Sequence, residues 1–462
     1  MAVLNALTSS FDSRSEPCAP LGSKEFESLM DLDYESCPTV AVGVSGGSDS
    51  LSLCLLANDW AKAHSGKVIA LTVDHGLRPE SKSEAETVKS WLQAHAIEHH
   101  ILTWKGEKPQ TRIQEEARKA RYNLLKTFCY KNGILHLLLG HHQEDQVETV
   151  LDRFLHGTGL DGLAGIAPVV EHDHVRVIRP LLTISKVRLM ATLSQRHQAF
   201  LDDPSNQSDK FTRSRLRKIL SSLESEGGTA SRLAQVAYRS GLSRAALDEI
   251  VNDVLVRNAS LHGEGYISLK KSALEDTPKD IALRVLMRTI QCIGGNAYPP
   301  RQKSLEPLLK ALQREENPKT LGNCYFLPRK KTIIICREAI QIPEAFPIPH
   351  TDSHFVWNER FMFKSIKSLP QDSQYLVRPF GEKGLHILPA DFCPTEPQEN
   401  IPGPVLYTLP AIWNKEKLVS VPHIRYGLTK LEKLGLQLVG FAPTYALGKP
   451  PYFSHERYPE FP

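Results

Sequence analysis

The sequence comprises 462 residues with a formal net charge of +4, 41% hydrophobic and 23% charged side chains, ordinary proportions for a soluble protein of about two to four domains. No stretch approaches the ~18 apolar residues that a membrane span needs, and eight cysteines without a C-x-x-C pair argue against a disulfide scaffold or zinc ribbon and for reduced thiols in a cytoplasmic setting. Residues 1–37 carry two basic against seven acidic side chains, the wrong balance for a signal or transit peptide, so a poorly ordered lead-in is expected there.

From Val40 to about Ile184 short apolar runs alternate with helix-like segments. The runs are Val40–Val44, Val68–Val73, His100–Trp104 and Ile134–Leu139, and between them lie Leu51–His64, Glu80–His95 and Arg112–Lys131. This βαβα order predicts an α/β domain: a parallel sheet covered by helices, with ligands at the carboxyl ends of the strands. Chemistry-bearing residues stand just after several runs. After the first come Ser45, Gly46, Gly47, Ser48, Asp49 and Ser50. Two glycines permit a sharp turn and close backbone approach. The serine hydroxyls and the free N–H groups of a helix start make a nest for phosphate oxygens. Asp49 is out of place in a purely anion-binding nest and suits a Mg²⁺ ion lying between it and the phosphates. No lysine follows the glycines, so the loop is not a Walker A motif.

Asp74 and His75 follow the second run, beside Gly76, where they would edge the same crevice. In Arg112–Lys131, Glu115, Arg118, Arg121 and Tyr122 share a helical face by their spacing. After the fourth run, His141, Glu144, Asp145 and Glu148 fall at helical spacing, and paired acids at a strand end suit Mg²⁺ or general-base work; H-E-x-x-H is absent. Residues 157–165 then pack four glycines into nine positions, a loop that needs unusual backbone angles. Between Arg176 and Lys218 ten Lys/Arg stand against three Asp, a block that favours a nucleic-acid partner beside an ATP-using site.

Seven segments now read together: SGGSDS (45–50), VDHGLR (73–78), EEARKARY (115–122), GHHQEDQVET (140–149), GTGLDGLAGI (157–166), RPLL (179–182) and DDPSNQSDKFTRSRLR (202–217). The first resembles the pyrophosphate (PP) loop of the N-type ATP pyrophosphatases. The whole ordered set, over roughly residues 38–220, resembles the tRNA(Ile)-lysidine synthetases. Two positions depart from that pattern: Glu144 stands where an Asp-Asp pair is usual, and Ser214 stands where an Asn follows the F-x-R element.

The resemblance implies a Rossmann-like PP-loop catalytic domain over 38–226, an α-helical tRNA-gripping domain over 227–335 and a small β-rich C-terminal domain over 340–462. It implies ATP and Mg²⁺ as cofactors and L-lysine and the CAU-anticodon tRNA(Ile) as substrates; a homodimer is among the assemblies it allows, and the lack of a long apolar run argues for no membrane. The implied chemistry is a carbon–nitrogen ligation in which the wobble cytidine is adenylated and lysine then displaces AMP, switching codon reading from AUG to AUA. Residues 45–50 with Asp74 and His75 would bind ATP, and Asp49 with Glu144 or Asp145 would hold Mg²⁺. Asp145 and Glu148 are both candidates for the proton acceptor. Arg118, Arg121, His141, Arg179, Arg213 and Arg217 would meet tRNA or substrate, with Arg213 on the adenylate phosphate or the tRNA backbone. The alternatives are another PP-loop enzyme, such as a tRNA thiolase or an amidating synthetase, and an inactive tRNA-binding homologue. The absence of cysteines from the matched motifs weighs against a thiolase.

Past Gly227–Gly228, Leu247, Ile250, Val251, Val254 and Leu255 keep amphipathic helical spacing and are expected in a core. Arg232, Arg239, Arg244, Arg257, Lys270 and Lys271 are the exposed phosphate-contact candidates of that region. Seventeen of the 31 prolines lie in residues 340–462, which predicts short strands and long loops.

Overall fold

The computed structural model describes residues 19–30, 32, 36–77, 80–106, 108–109, 111, 113–172, 174–201, 216, 219–220, 229–296, 298–314, 317–342, 345–349, 353–367, 374–389, 392 and 401–448. The chain forms two compact units, Met1–Ala246 with Pro450–Pro462, and Leu247–Lys449.

In the first unit the elements run α1 (Ser23–Met30), β1 (Thr39–Gly43), α2 (Ser48–Ala63), β2 (Lys67–Asp74), α3 (Ser81–Ala94), β3 (Glu98–Thr103), α4 (Ile113–Lys131), β4 (His136–Leu139), α5 (Gln143–Leu155), α6 (Leu160–Leu163), β5 (Val169–Glu171), β6 (Arg176–Ile178) and α7 (Lys186–Gln195). The strands form one sheet in the order β3-β2-β1-β4-β6-β5. It is parallel except for β5, which pairs antiparallel with β6. Alternate residues of each strand face opposite sides, so a sheet covered on both faces must be apolar at nearly every position. The inner strands β1, β2 and β4 largely obey this, whereas edge strand β3 does not. Val40, Val42, Val68, Ala70, Leu138 and Ile178 enter one core with α1, α2, α3 and α7. Their neighbours Ala41, Ile69, Leu71, Leu137, Leu139 and Val177 enter a second core with α4. The chain steps outward from β1 through β2 to β3 on one side and returns to β4 on the other. The loops leaving β1 and β4 therefore open at the point where strand order reverses, the expected place for a ligand crevice.

The expected lead-in does not extend to Ser23–Met30. Phe26 and Met30, one helical turn apart, are each 1% exposed, and Glu25 accepts two bonds of 2.7 Å from Arg188 of α7. An acidic surface with two apolar anchors is a docked helix, not a loose end.

The second unit starts inside α8 (Ala230–Asn258). It continues with β7 (Ala259–His262), β8 (Tyr266–Lys270), α9 (Ser272–Glu275), α10 (Lys279–Gly294), α11 (Gln302–Gln313), β9 (Lys319–Leu321), β10 (Cys324–Pro328) and β11 (Thr332–Arg337). These strands form a five-stranded sheet, β7-β8-β11-β10-β9, beside the expected helices. In α8, Val251 and Leu255 are buried, but Ile250 is 49% exposed and lies outside the core. Lys271 is also not an exposed phosphate candidate, since it is 5% exposed. Beyond residue 340 a four-stranded and a three-stranded sheet follow, in keeping with the proline-rich texture.

A hydrogen-bond relay braces the end of the first sheet from which the Ser45–Ser50 loop leaves. Thr72 Oγ1 donates to Val44 O at 2.8 Å and so accepts from His99 Nε2, also at 2.8 Å. Among the described residues His99 Nδ1 is buried without a partner; burial, then the charges of His100 and Lys89, lower the ring's pKa to about 4. The unfolded chain takes up this proton near the ordinary value of ~6.5, so stability drains away as pH falls from about 6.5 towards 4. Thermal melts of His99→Gln should lose less stability across that window than the unsubstituted chain; parallel curves would show that His99 does not set the loss.

Candidate active site

The loop 44–50 is wired by its own hydroxyls and backbone. Gly46 has φ +91°, a left-handed geometry that favours glycine. The N–H of Ser45 donates to Ser50 Oγ at 3.0 Å, Ser50 Oγ donates to Gly47 O at 3.1 Å, and Ser48 Oγ donates to Asp49 Oδ1 at 2.9 Å. Gly47 caps α2 in extended conformation with no side-chain bond, so the helix's first N–H groups face the crevice.

Across the crevice, Gly140 lets β4 run against the start of α2. A Cβ there would lie 3.1 Å from the backbone carbon and oxygen of Asp49 and from Ser50 Cα. The chain then turns into α5, whose first turn carries the acids. His142 is the N-cap. Its N–H donates to Asp145 Oδ2 at 3.1 Å, closing a capping box. The ring of His142 is bound on both sides, Nδ1 to Glu144 Oε2 at 2.8 Å and Nε2 to Asp49 Oδ2 at 3.3 Å, with Asp145 Oδ2 3.6 Å from Nε2. Burial opposes a charge on this ring, but the bonds to Asp49 and Glu144 and the charge of Asp145 outweigh it and raise its pKa to about 10. Burial likewise favours neutral Asp49 and Glu144, yet His142 pulls both carboxyls below their ordinary values, with Lys186 assisting at each.

The acids have different tasks. Asp49 and Asp145 converge on one nitrogen. Glu144 takes the other ring nitrogen through Oε2, and both its oxygens also accept from the N–H of Lys186 at 3.1 and 3.0 Å and so cap α7 from outside. Glu148 sits one turn beyond Asp145 and is 6% exposed. No trio of His, Cys, Asp or Glu among the described residues is arranged to hold a metal ion unaided. The Asp49–Asp145 pair nevertheless fits Mg²⁺, which prefers oxygen ligands and is commonly bound by one or two carboxylates completed by substrate phosphates and water.

Beside this lies a basic cluster. Arg118 Nη2 donates to the Tyr122 hydroxyl at 3.5 Å, and the Arg118 and Arg121 guanidinium carbons lie 5.3 and 5.8 Å from its ring centre. Burial raises the phenol's pKa, but Arg179, Arg118 and Arg121 together bring it below its ordinary value. Burial and the same three cations push His141 down to about 2, so it is neutral. His75 is lowered by burial and by Arg121. Asp74 instead serves its own turn, accepting from Ser81 Oγ at 2.7 Å and the Gly76 N–H at 2.9 Å.

The glycine-rich loop is clamped from α5. Gln146 Nε2 donates to Ile166 O at 3.1 Å and its Oε1 accepts from the Ile166 N–H at 2.6 Å. Arg153 Nη1 donates to the carbonyls of Gly162 and Gly165 at 3.1 and 2.8 Å, and Arg179 Nη1 to that of Ala167 at 2.8 Å.

The structure thus gathers residues 45–50 with Asp145 and Glu144, and sets Arg118, Arg121, His141 and Arg179 in one basic cluster. Arg213 and Arg217 lie outside the described residues. Sequence reasoning missed His142, Lys186, Gln146 and Arg153. Gln146 and Arg153, seven apart on one helix face and followed by the glycine-rich loop, were the readable signal.

Residues 23–223 match the model of the PP-loop domain family, so the first unit contains a PP-loop ATP-binding domain. The tRNA(Ile)-lysidine synthase of Bradyrhizobium sp. strain BTAi1 is 39% identical over 312 residues, 65% of this chain and 86% of that protein. The tRNA(Ile)-lysidine synthase of Orientia tsutsugamushi strain Boryong is 32% identical over 405 residues, 85% of this chain and 90% of that protein. The chain belongs to the tRNA(Ile)-lysidine synthase family. A solved U34-tRNA thiolase, NcsA from Methanococcus maripaludis with its [4Fe-4S] cluster, is similar over 47% of this chain and 76% of that one, at 19% identity and a TM-score of 0.42.

Gly140→Ala should wedge β4 against the start of α2. Overpacking of this kind costs about 1–3 kcal/mol, and the melting temperature should fall while the Km for ATP rises. An unchanged Km would mean that the loop does not depend on this contact.

Proposed function

We propose that the chain activates the wobble cytidine of CAU-anticodon tRNA(Ile) with ATP and ligates free L-lysine to it, forming lysidine and releasing pyrophosphate and AMP. The observation that carries this reading is the convergence of Asp49, from the phosphate loop, and Asp145, from the next strand-end, on a single buried point, with the Arg118–Arg121–Arg179 cluster in the same unit.

The cytosine 2-oxo group leaves poorly until it is esterified. The Ser45–Ser50 nest would hold the phosphates while that oxygen attacks the α-phosphorus and pyrophosphate departs. Mg²⁺, held by Asp49 and Asp145, would offset charge on the phosphate oxygens. The lysine ε-amine, with a free pKa near ~10.4, must lose a proton to attack C2. Asp145 or Glu148 would accept it, and AMP would leave with the original oxygen. Arg118, Arg121 and Arg179 would grip the tRNA backbone or the adenylate phosphate, and Arg213 and Arg217 would join them. Thiolation chemistry has less support, because burial pushes the thiols of Cys54 and Cys129 up to about 12.

The test is one incubation of the protein with Mg-ATP, radiolabelled L-lysine and total bacterial tRNA. Label in a single modified cytidine, with AMP as co-product, is expected; ATP turnover that leaves lysine free would point to a different nucleophile and overturn the reading. In the same assay Asp145→Ala should lower the rate by about 10²-fold or more with tRNA affinity retained. Loss of tRNA binding in step with activity would make Asp145 a binding or structural residue.

A further inference from the structure

The phosphate loop contains no lysine, yet a PP-loop must face the most negative part of ATP. We propose that Lys186 supplies the missing cation: its ammonium binds the β- and γ-phosphate oxygens of ATP and then the departing pyrophosphate. This rests on the ATP-using site described above.

Three observations carry the assignment. Lys186 Nζ stands 3.9 Å from Asp49 Oδ2, and its side chain is 41% exposed, so the ammonium sits at the loop with room to reach a ligand. Among the described residues Asp49 is its one ion-pair partner. A single half-exposed contact at that length contributes little by itself, so the ion pair does not account for the placement.

Lys186 is also the first residue of α7, a helix with no acid in its own first turn. A cation at that end opposes the helix dipole. The fold offsets the cost from outside, with the Glu144 carboxylate accepting from the Lys186 N–H. Local rules broken at some expense and compensated by a neighbour are a mark of functional positions.

Finally, the backbone that launches the side chain is fixed to the acid cluster. The N–H of Gln143 donates to Ile184 O at 2.9 Å, and Gln143 Nε2 donates to Thr183 O at 3.4 Å. Both ends of the segment that offers Lys186 are therefore tied to α5, next to Asp145.

The experiment compares equilibrium binding of Mg-ATP, Mg-pyrophosphate and AMP to the full chain and to Lys186→Met and Lys186→Arg. Loss of a charge-assisted bond should weaken Mg-ATP and Mg-pyrophosphate about tenfold or more in Lys186→Met. AMP, which lacks the β- and γ-phosphates, should bind unchanged and so report an intact fold. Lys186→Arg keeps the charge and should stay within about threefold. Unchanged Mg-ATP and Mg-pyrophosphate affinity in Lys186→Met, or a parallel loss of all three ligands, would overturn the assignment. No tRNA or lysine enters this measurement, so failure of lysine transfer by the unsubstituted chain would sink the lysidine reading without deciding the role of Lys186.

Discussion

One buried imidazolium holds the site together. Three carboxylates from two segments lie against the His142 ring, which is 6% exposed. Carboxylates this close repel one another and would drive protons onto themselves. A cation among them lets all remain charged, and each gains a hydrogen bond or a short Coulomb contact. Buried ion pairs are not intrinsically strong sources of stability, because desolvation consumes much of the attraction. Their value lies in specifying geometry. Here the same ring fixes Asp49 relative to Asp145, and through Glu144 it fixes the start of α7 relative to both.

The sheet makes that meeting inevitable. β1 and β4 are neighbours in register, with Gly43 opposite Leu139, so the loops that follow them leave side by side. Glycine at 140 removes the last steric obstacle between the α2 backbone and β4. The two-faced apolar pattern of the strands thus places the loops at one edge, and the loops then carry the polar chemistry. Gln146, Arg153 and Arg179 extend this order outward by pinning the backbone of the glycine-rich loop.

Much of this was legible in the sequence. Strands over 40–44 and 68–73 and helices over 51–64 and 112–131 can be read from apolar runs and turn residues, and the structure places β1, β2, α2 and α4 within a few residues of them. The phosphate loop was legible because it needs glycine and hydroxyl residues at fixed places. Other features were not, for physical reasons. Glu144 reads as a metal ligand beside Asp145, and only the tertiary approach of α7 shows its oxygens capping another helix. His142 and His141 are adjacent and chemically identical in sequence; burial among acids charges one and burial among guanidiniums neutralises the other. The sheet of β7–β11 went unread because its strands are short and interleaved with stronger helical signals. α1 was hidden by its acidity, since two apolar anchors four residues apart make little periodicity.

The central claim is that His142 is a charged tie between the phosphate loop and the acid cluster. The direct measurement is the ring nitrogen chemical shifts of ¹⁵N-labelled His142 in the nucleotide-free protein, followed from neutral to alkaline pH. The account expects an imidazolium that persists through pH 8 and titrates near about 10. A midpoint at or below ~6.5, the value of an unperturbed histidine, would contradict it, and the loop and the acids would then have to be held together by something else.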